Sequence, residues 1–161
     1  MSSTEEETRQ FIERFAAELT DAGMQRMAAR VFTALLASEN GALTSAELGE
    51  RLTISPAAVS GAIRYLSQVG MVSRETDPGS RRERYRVRAD QWFQTFAARD
   101  LTLKRWVSIL ADGVQAVGRD TPAGHRVAET QQFMTFLQAE MGTLMDRWTA
   151  RREELVAEGK L

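Results

Sequence analysis

A mainly α-helical chain with one small β-hairpin is the fold class this sequence predicts, and three observations predict it. Two short helices with strong start signals follow one another at 45–52 and 56–69. Directly after them the apolar period drops to two, at 71–76 and 84–88. Beyond Asp90 a three-and-four spacing returns and holds almost to the end.

Each element has its own justification. Phe11, Phe15 and Leu19 recur every four positions with Ile12 beside them, which predicts a first helix over 4–21. Gly23 interrupts it. A second helix is expected over 24–38, with Met27, Val31 and Leu35 on its apolar stripe, and "ENGA" (39–42) is expected to turn. Thr44 and Glu47 fit a capping box, Leu43 and Leu48 a hydrophobic staple, and the helix they open runs over 45–52. Ser55 is then an N-cap and Pro56 stands at the first helical position, where a missing N–H does no harm. Gly70 closes that helix, with Leu66 and Met71 placed for the apolar contact of a Schellman motif. Two short helices joined by "TIS" are a helix-turn-helix.

"MVSRET" reads as a strand, and "DPGS" puts proline and glycine at the second and third places of a type II turn. "RYRVR" alternates, with Tyr85 and Val87 on one face and Arg84, Arg86 and Arg88 on the other. A hairpin directly after a helix-turn-helix is a wing. Over 90–118, Trp92, Phe96, Leu103, Val107, Leu110, Val114 and Val117 keep helical spacing until "RDTPAG" breaks it. A last helix over 122–158 sets Val127, Met134, Leu137, Met141, Leu144, Trp148 and Leu155 on heptad positions. So long a seam needs partner helices, and the expected source is a second copy of the chain. The full expectation is a winged helix-turn-helix with N- and C-terminal dimerisation helices. It divides into a dimerisation helix at 1–22, a winged domain at 23–88 and a helical dimerisation region at 89–161.

Composition narrows the class. The 161 residues are 43% hydrophobic and 27% charged, the balance of an ordinary globular chain. No apolar run approaches the roughly 20 residues that span a bilayer. "MSSTEEETRQ" is acidic, unlike a secretory or transit signal, so a cytoplasmic location is expected. Zero cysteines exclude disulfides and thiolate metal sites. The net charge of −1 argues against a polyanionic partner, but its distribution argues for one. Residues 56–88 hold seven arginines against three acids, whereas residues 1–22 hold two against six. Local fields steer a polyanion.

The helix over 56–69 carries the sharpest signal. Val59, Ala62, Ile63 and Leu66 share one stripe, so at about 100° per residue Ala57, Gly61, Arg64 and Gln68 face away, flanked by Ser60 and Tyr65. A glycine in mid-helix costs roughly 1 kcal/mol against alanine. Two readings account for Gly61. Either small residues let the backbone approach a DNA groove, with Ser60 and Arg64 reaching bases or phosphates, or they permit close packing on another helix. The wing residues Ser80, Arg81, Arg82 and Arg84 suit phosphate forks and a narrow minor groove. Catalysis finds no support: His125 is the single histidine, and no phosphate loop or metal-ligand spacing accompanies it.

"GALTSAELGERLTISPAAVSGAIRYLSQVGMVSRE" (41–75) and "PGSRRERYRV" (78–87) resemble the MarR family of winged helix-turn-helix regulators. More narrowly, the same stretches resemble its GbsR-like branch, and "GMQRMAARVFTALLASE" (23–39) before them also fits that branch. The resemblance covers 23–88, about two fifths of the chain. It implies a homodimeric transcriptional regulator, acting as a repressor on a palindromic operator in double-stranded DNA. The helix 56–69 would enter the major groove, and the wing 77–84 would lie at the minor groove or backbone. By position, Ser55, Ala57, Ser60, Gly61 and Arg64 match the family's recognition-helix contact region, and Arg81, Arg82 and Arg84 match its basic wing. Gly61 departs from the arginine that many members carry there, which shifts weight onto Ser60, Arg64 and the wing. Many relatives answer to a small-molecule effector held between the DNA-binding lobe and the dimer helices, and Trp92, Phe93, Phe96 and Trp106 stand where such a pocket would be lined. Aromatics at helical spacing are more often plain core, so no effector is identified and no cofactor is expected. A winged helix that docks a protein without touching DNA is the alternative.

Overall fold

The computed structural model describes residues 3–76, 79, 82–88 and 91–161; the side chains of residues 3, 91 and 93–98 are not among what it describes. The elements run α1 (Ser3–Asp21), α2 (Arg26–Leu36), β1 (Ala42–Thr44), α3 (Ser45–Leu52), α4 (Pro56–Gln68), β2 (Val72–Thr76), β3 (Glu83–Val87), α5 (Gln91–Val117) and α6 (Pro122–Ala157). They fall into two compact units, Met1–Gln94 and Thr95–Leu161.

In the first unit α2 is the central helix. Ala28, Ala29, Val31, Phe32, Thr33, Ala34 and Leu35 are all fully buried, so the helix is covered on nearly every side. Its one buried polar side chain, Thr33, donates its hydroxyl to the Ala29 carbonyl at 2.8 Å and leaves no unmet hydrogen bond. Leu48, Leu52, Val59, Ile63, Leu66, Met71 and Tyr85 close around it. Arg30 ties three helices together. Its guanidinium donates to both carboxylate oxygens of Glu13 on α1, the shortest contact being 2.6 Å, and to the Leu52 carbonyl at the end of α3 at 3.1 Å. A charged fork of this kind, with the arginine side chain only 17% exposed, fixes geometry as well as adding attraction.

The apolar arc of α1 is wider than α2 can cover. Ile12 and Ala16 are the residues it buries, while Phe11, expected on the inner stripe, stays 46% exposed and stacks on Phe15 with ring centroids 5.9 Å apart.

The sheet has three antiparallel strands in the order β1-β3-β2, one more than the alternation pattern predicts. The reading of 39–42 as a turn misses that Ala42 already begins β1, which pairs Leu43 with Tyr85 and Thr44 with Arg84. Three residues are too few to show a period, and their partner lies some forty positions away. The hairpin itself keeps the expected alternation, with Tyr85 buried and Val87 packed against the core. Gly79 has φ +81, the left-handed value a type II turn needs at its third place, whereas Asp77, Pro78 and Ser80 lie outside the described residues.

In the second unit, α5 passes into α6 through a tight corner. Thr121 caps α6 by accepting from the Gly124 N–H at 2.9 Å, and its own hydroxyl donates back to the Gly118 carbonyl at 2.7 Å. Gly124 is buried there, and only glycine fits, since a Cβ would run into that same carbonyl oxygen. Beyond the corner α6 shows Phe133, Phe136, Leu144, Trp148 and Val156 to solvent at 44% to 62%. No helix among the described residues is long and apolar enough to cross a membrane.

Candidate nucleic-acid interface

Local chemistry locks α4 at both ends. At its start, Ser55 takes an extended backbone and its hydroxyl accepts from the Ala58 N–H at 3.2 Å, with Pro56 next in line. Removing an N-cap hydroxyl costs about 1 kcal/mol. At its end, Gly70 adopts φ +76, its N–H donates to the Ser67 carbonyl at 3.2 Å, and the Met71 N–H donates to the Leu66 carbonyl at 2.9 Å. Those two bonds complete the expected Schellman motif. The preceding α3 is equally well set. The Glu47 N–H donates to the Thr44 hydroxyl at 3.2 Å and the Thr44 N–H to the Glu47 carboxylate at 2.7 Å. The Thr44 N–H holds the Glu47 pKa below the usual carboxylate value, aided by the Thr44 hydroxyl and by the charges of Arg84 and Arg51.

Between the locked ends α4 has two unlike faces. Val59, Ala62, Ile63 and Leu66 are buried against the core. Ser55, Ala57, Ser60, Gly61, Arg64 and Gln68 are all exposed. A Cβ built on Gly61 would meet nothing within 4 Å. Among the described residues, then, no other helix of the first unit packs against Gly61. Among the described residues no acid pairs with Arg64, so its charge is unmatched.

The hairpin distributes its arginines over two faces. Arg86 spends its guanidinium on structure, donating to the Glu75 carboxylate at 2.8 Å and to the Asn40 carbonyl in the turn before β1. Arg84 belongs to the same outer face, opposite Thr44 and Glu75, near enough to Glu47 to act on its charge. Arg74 pairs across the ladder with Tyr85 and lies over that ring at 5.8 Å from its centroid. It therefore turns toward α4. A groove of about 550 Å³ runs between the helix and the sheet, walled by Ser60, Arg64, Ser67 and Gln68 on one side and by Arg74 and Tyr85 on the other.

Of the residues the sequence singles out, the structure therefore brings Ser60, Arg64 and Gln68 together on one wall and puts Ser55, Ala57 and Gly61 on the same open helix face. Arg82 is exposed on the approach to β3, and Ser80 and Arg81 lie outside the described residues. Arg74 is the residue that sequence reasoning missed. The pairing register, which puts it beside Tyr85 rather than beside Arg84 and Arg86, is the signal that finds it. The aromatic residues set aside for an effector divide between the units. Trp92 meets the edge of Phe32 at 5.7 Å, Trp106 is exposed in the second unit, and the side chains of Phe93 and Phe96 lie outside the described residues.

Comparison with known proteins agrees with this geometry. A model of the MarR family matches residues 22–83, and a model described as MmpR5-like MarR family transcriptional regulator matches residues 90–152. The HTH-type transcriptional regulator MmpR5 of Mycobacterium tuberculosis is 25% identical over 150 residues, covering 90% of this chain and 88% of that protein. A crystal structure described as a transcriptional regulator shares the fold with a TM-score of 0.75 and 21% identity, covering 89% of this chain and 99% of the other. A helix-turn-helix with a paired wing and a bare second helix is the architecture of the winged-helix class, in which the second helix is the one offered to the DNA groove. The two family models that match, over 22–83 and 90–152, both describe MarR-family regulators, so the chain is similar to that family along most of its length.

Proposed function

We propose that the protein is a homodimeric, sequence-specific repressor that sets α4 into the major groove of a palindromic operator and the wing against the minor groove or backbone. The observation that carries this reading is the open face of α4, where Gly61 has empty space in place of a packing partner. Ser55, Ala57, Ser60, Gly61, Arg64 and Gln68 form the helix side of the contact. Ser80, Arg81, Arg82 and Arg84 form the wing side. With 1–22 and 89–161 as dimerisation segments around the winged domain 23–88, the exposed Phe133, Phe136, Leu144 and Trp148 of α6 supply apolar surface for a second copy. The GbsR-like affiliation, a cytoplasmic location and a small-molecule effector to which no residue is assigned belong to the same proposal.

Two measurements test it. On duplex fragments of its own promoter region, log K is expected to fall with log salt at about −0.9 per neutralised phosphate. Absence of affinity for every such fragment at low salt would reject DNA as the partner and favour a winged module for an acidic protein. Dimer symmetry predicts half-sites one or two helical turns apart, at about 10 bp per turn. A monomer by light scattering at micromolar concentration would contradict that geometry.

A further inference from the structure

We infer that Arg74 is a phosphate contact that Tyr85 holds ready, and that one strand of the operator's backbone runs through the groove between α4 and the β2–β3 sheet. The inference rests on DNA as the partner and adds a residue and a path to it.

The argument begins with the contrast between two arginines of one hairpin. Arg86 uses its donors on Glu75 and Asn40 and is thereby part of the scaffold. Arg74 makes no hydrogen bond among the described residues. Among the described residues its one ionic neighbour is Glu83, at 3.7 Å, too long for a hydrogen bond and between side chains 61% and 47% exposed. An exposed pair of that length contributes little to the fold. Yet the Arg74 side chain is not left to wander, because its guanidinium lies over the Tyr85 ring and Tyr85 is anchored in the core. A cation stacked on a fixed ring, with its N–H edge unspent, has already lost much of the rotamer freedom that binding would otherwise remove.

The opposite wall supplies the rest. Arg64 faces the same groove with no acid paired to it among the described residues, and Ser60 and Ser67 add hydroxyl donors along the helix. Guanidinium from the sheet side and guanidinium plus hydroxyls from the helix side suit a chain of phosphates, since the planar fork matches two phosphate oxygens at once. Glu83 is then the internal counter-ion that a phosphate displaces.

The experiment uses the full-length protein, a promoter duplex that the wild type binds and a random duplex of equal length, each titrated with salt. Arg74→Ala is expected to weaken both duplexes by the same factor, several-fold to about tenfold at 0.1 M salt, and to make the salt slope shallower by about 0.9. Glu83→Gln is expected to strengthen both by a few-fold. Arg86→Gln is expected to leave the slope as it is. Thermal unfolding confirms that each variant is folded. Should alanine loosen the hairpin, Arg74→Gln keeps the aliphatic stem, removes the charge and gives the same test. Wild-type affinity and slope in a folded Arg74 variant overturn the inference. So does a loss confined to the promoter duplex, which would make Arg74 a base reader. If the wild type binds neither duplex, it is the DNA reading itself that fails.

Discussion

Phe32→Ala is expected to destabilise the first unit by about 3–5 kcal/mol, a large part of the roughly 5–15 kcal/mol that holds a domain together. Phe32 is fully buried at the centre of α2, the helix against which α1, α3, α4, β1 and β3 pack. Its removal leaves a cavity whose walls come from several elements, so no single side chain can relax into it. The substitution also deletes the edge-to-face contact with Trp92, whose ring stands at 83° to that of Phe32 with centroids 5.7 Å apart. Urea unfolding followed by far-ultraviolet circular dichroism measures the loss, and tryptophan fluorescence follows the environment of Trp92 in the folded protein. A loss below about 1 kcal/mol would mean that α2 is not the centre of the core.

The second large effect is expected in binding. Arg64→Ala should weaken a specific operator by about 1–3 kcal/mol and relax the choice of base at one position of each half-site, if its fork reads a base edge. The structural reason is that Arg64 is exposed and unpaired among the described residues on a helix locked at both ends, so its reach is set by the side chain and not by a mobile backbone. Competition between operator and random duplex separates the outcomes. Equal losses on both would move Arg64 into the same class as Arg74, a backbone contact that orients the helix without reading sequence. The fold should be indifferent to this change, in contrast to Phe32.

What could be read from residues alone follows the range of the forces involved. The boundaries of α3 and α4 are legible almost to the residue because capping acts within five positions: Thr44 with Glu47, Ser55 with Ala58, Leu66 with Met71. The bare face of α4 is legible for the same reason, since helical spacing alone puts Ala57, Gly61 and Arg64 opposite Val59 and Ile63. The choice between Phe11 and Ile12 on α1 is not. Both fit a helical stripe, and only the position of α2, with Arg30 gripping Glu13, decides which one is buried.

Within the hairpin the division is sharper. Alternation told the two faces of β3 apart, but it could not tell which face looks toward the recognition helix, nor that β2 would bring Arg74 to that side. Those facts depend on register and on packing across the sheet, where residues tens of positions apart meet.

By itself, then, the chain's order of residues determined that there would be a helix-turn-helix, where its second helix begins and ends, and which side of it stays uncovered, because caps and periodicity are short-range physics. Only the tertiary structure decided that Gly61 has no neighbour among the described residues, that β1 joins the sheet, and that Arg86 braces the wing while Arg74 faces the groove, because each of those requires knowing what lies across a gap the chain crosses only once it is folded.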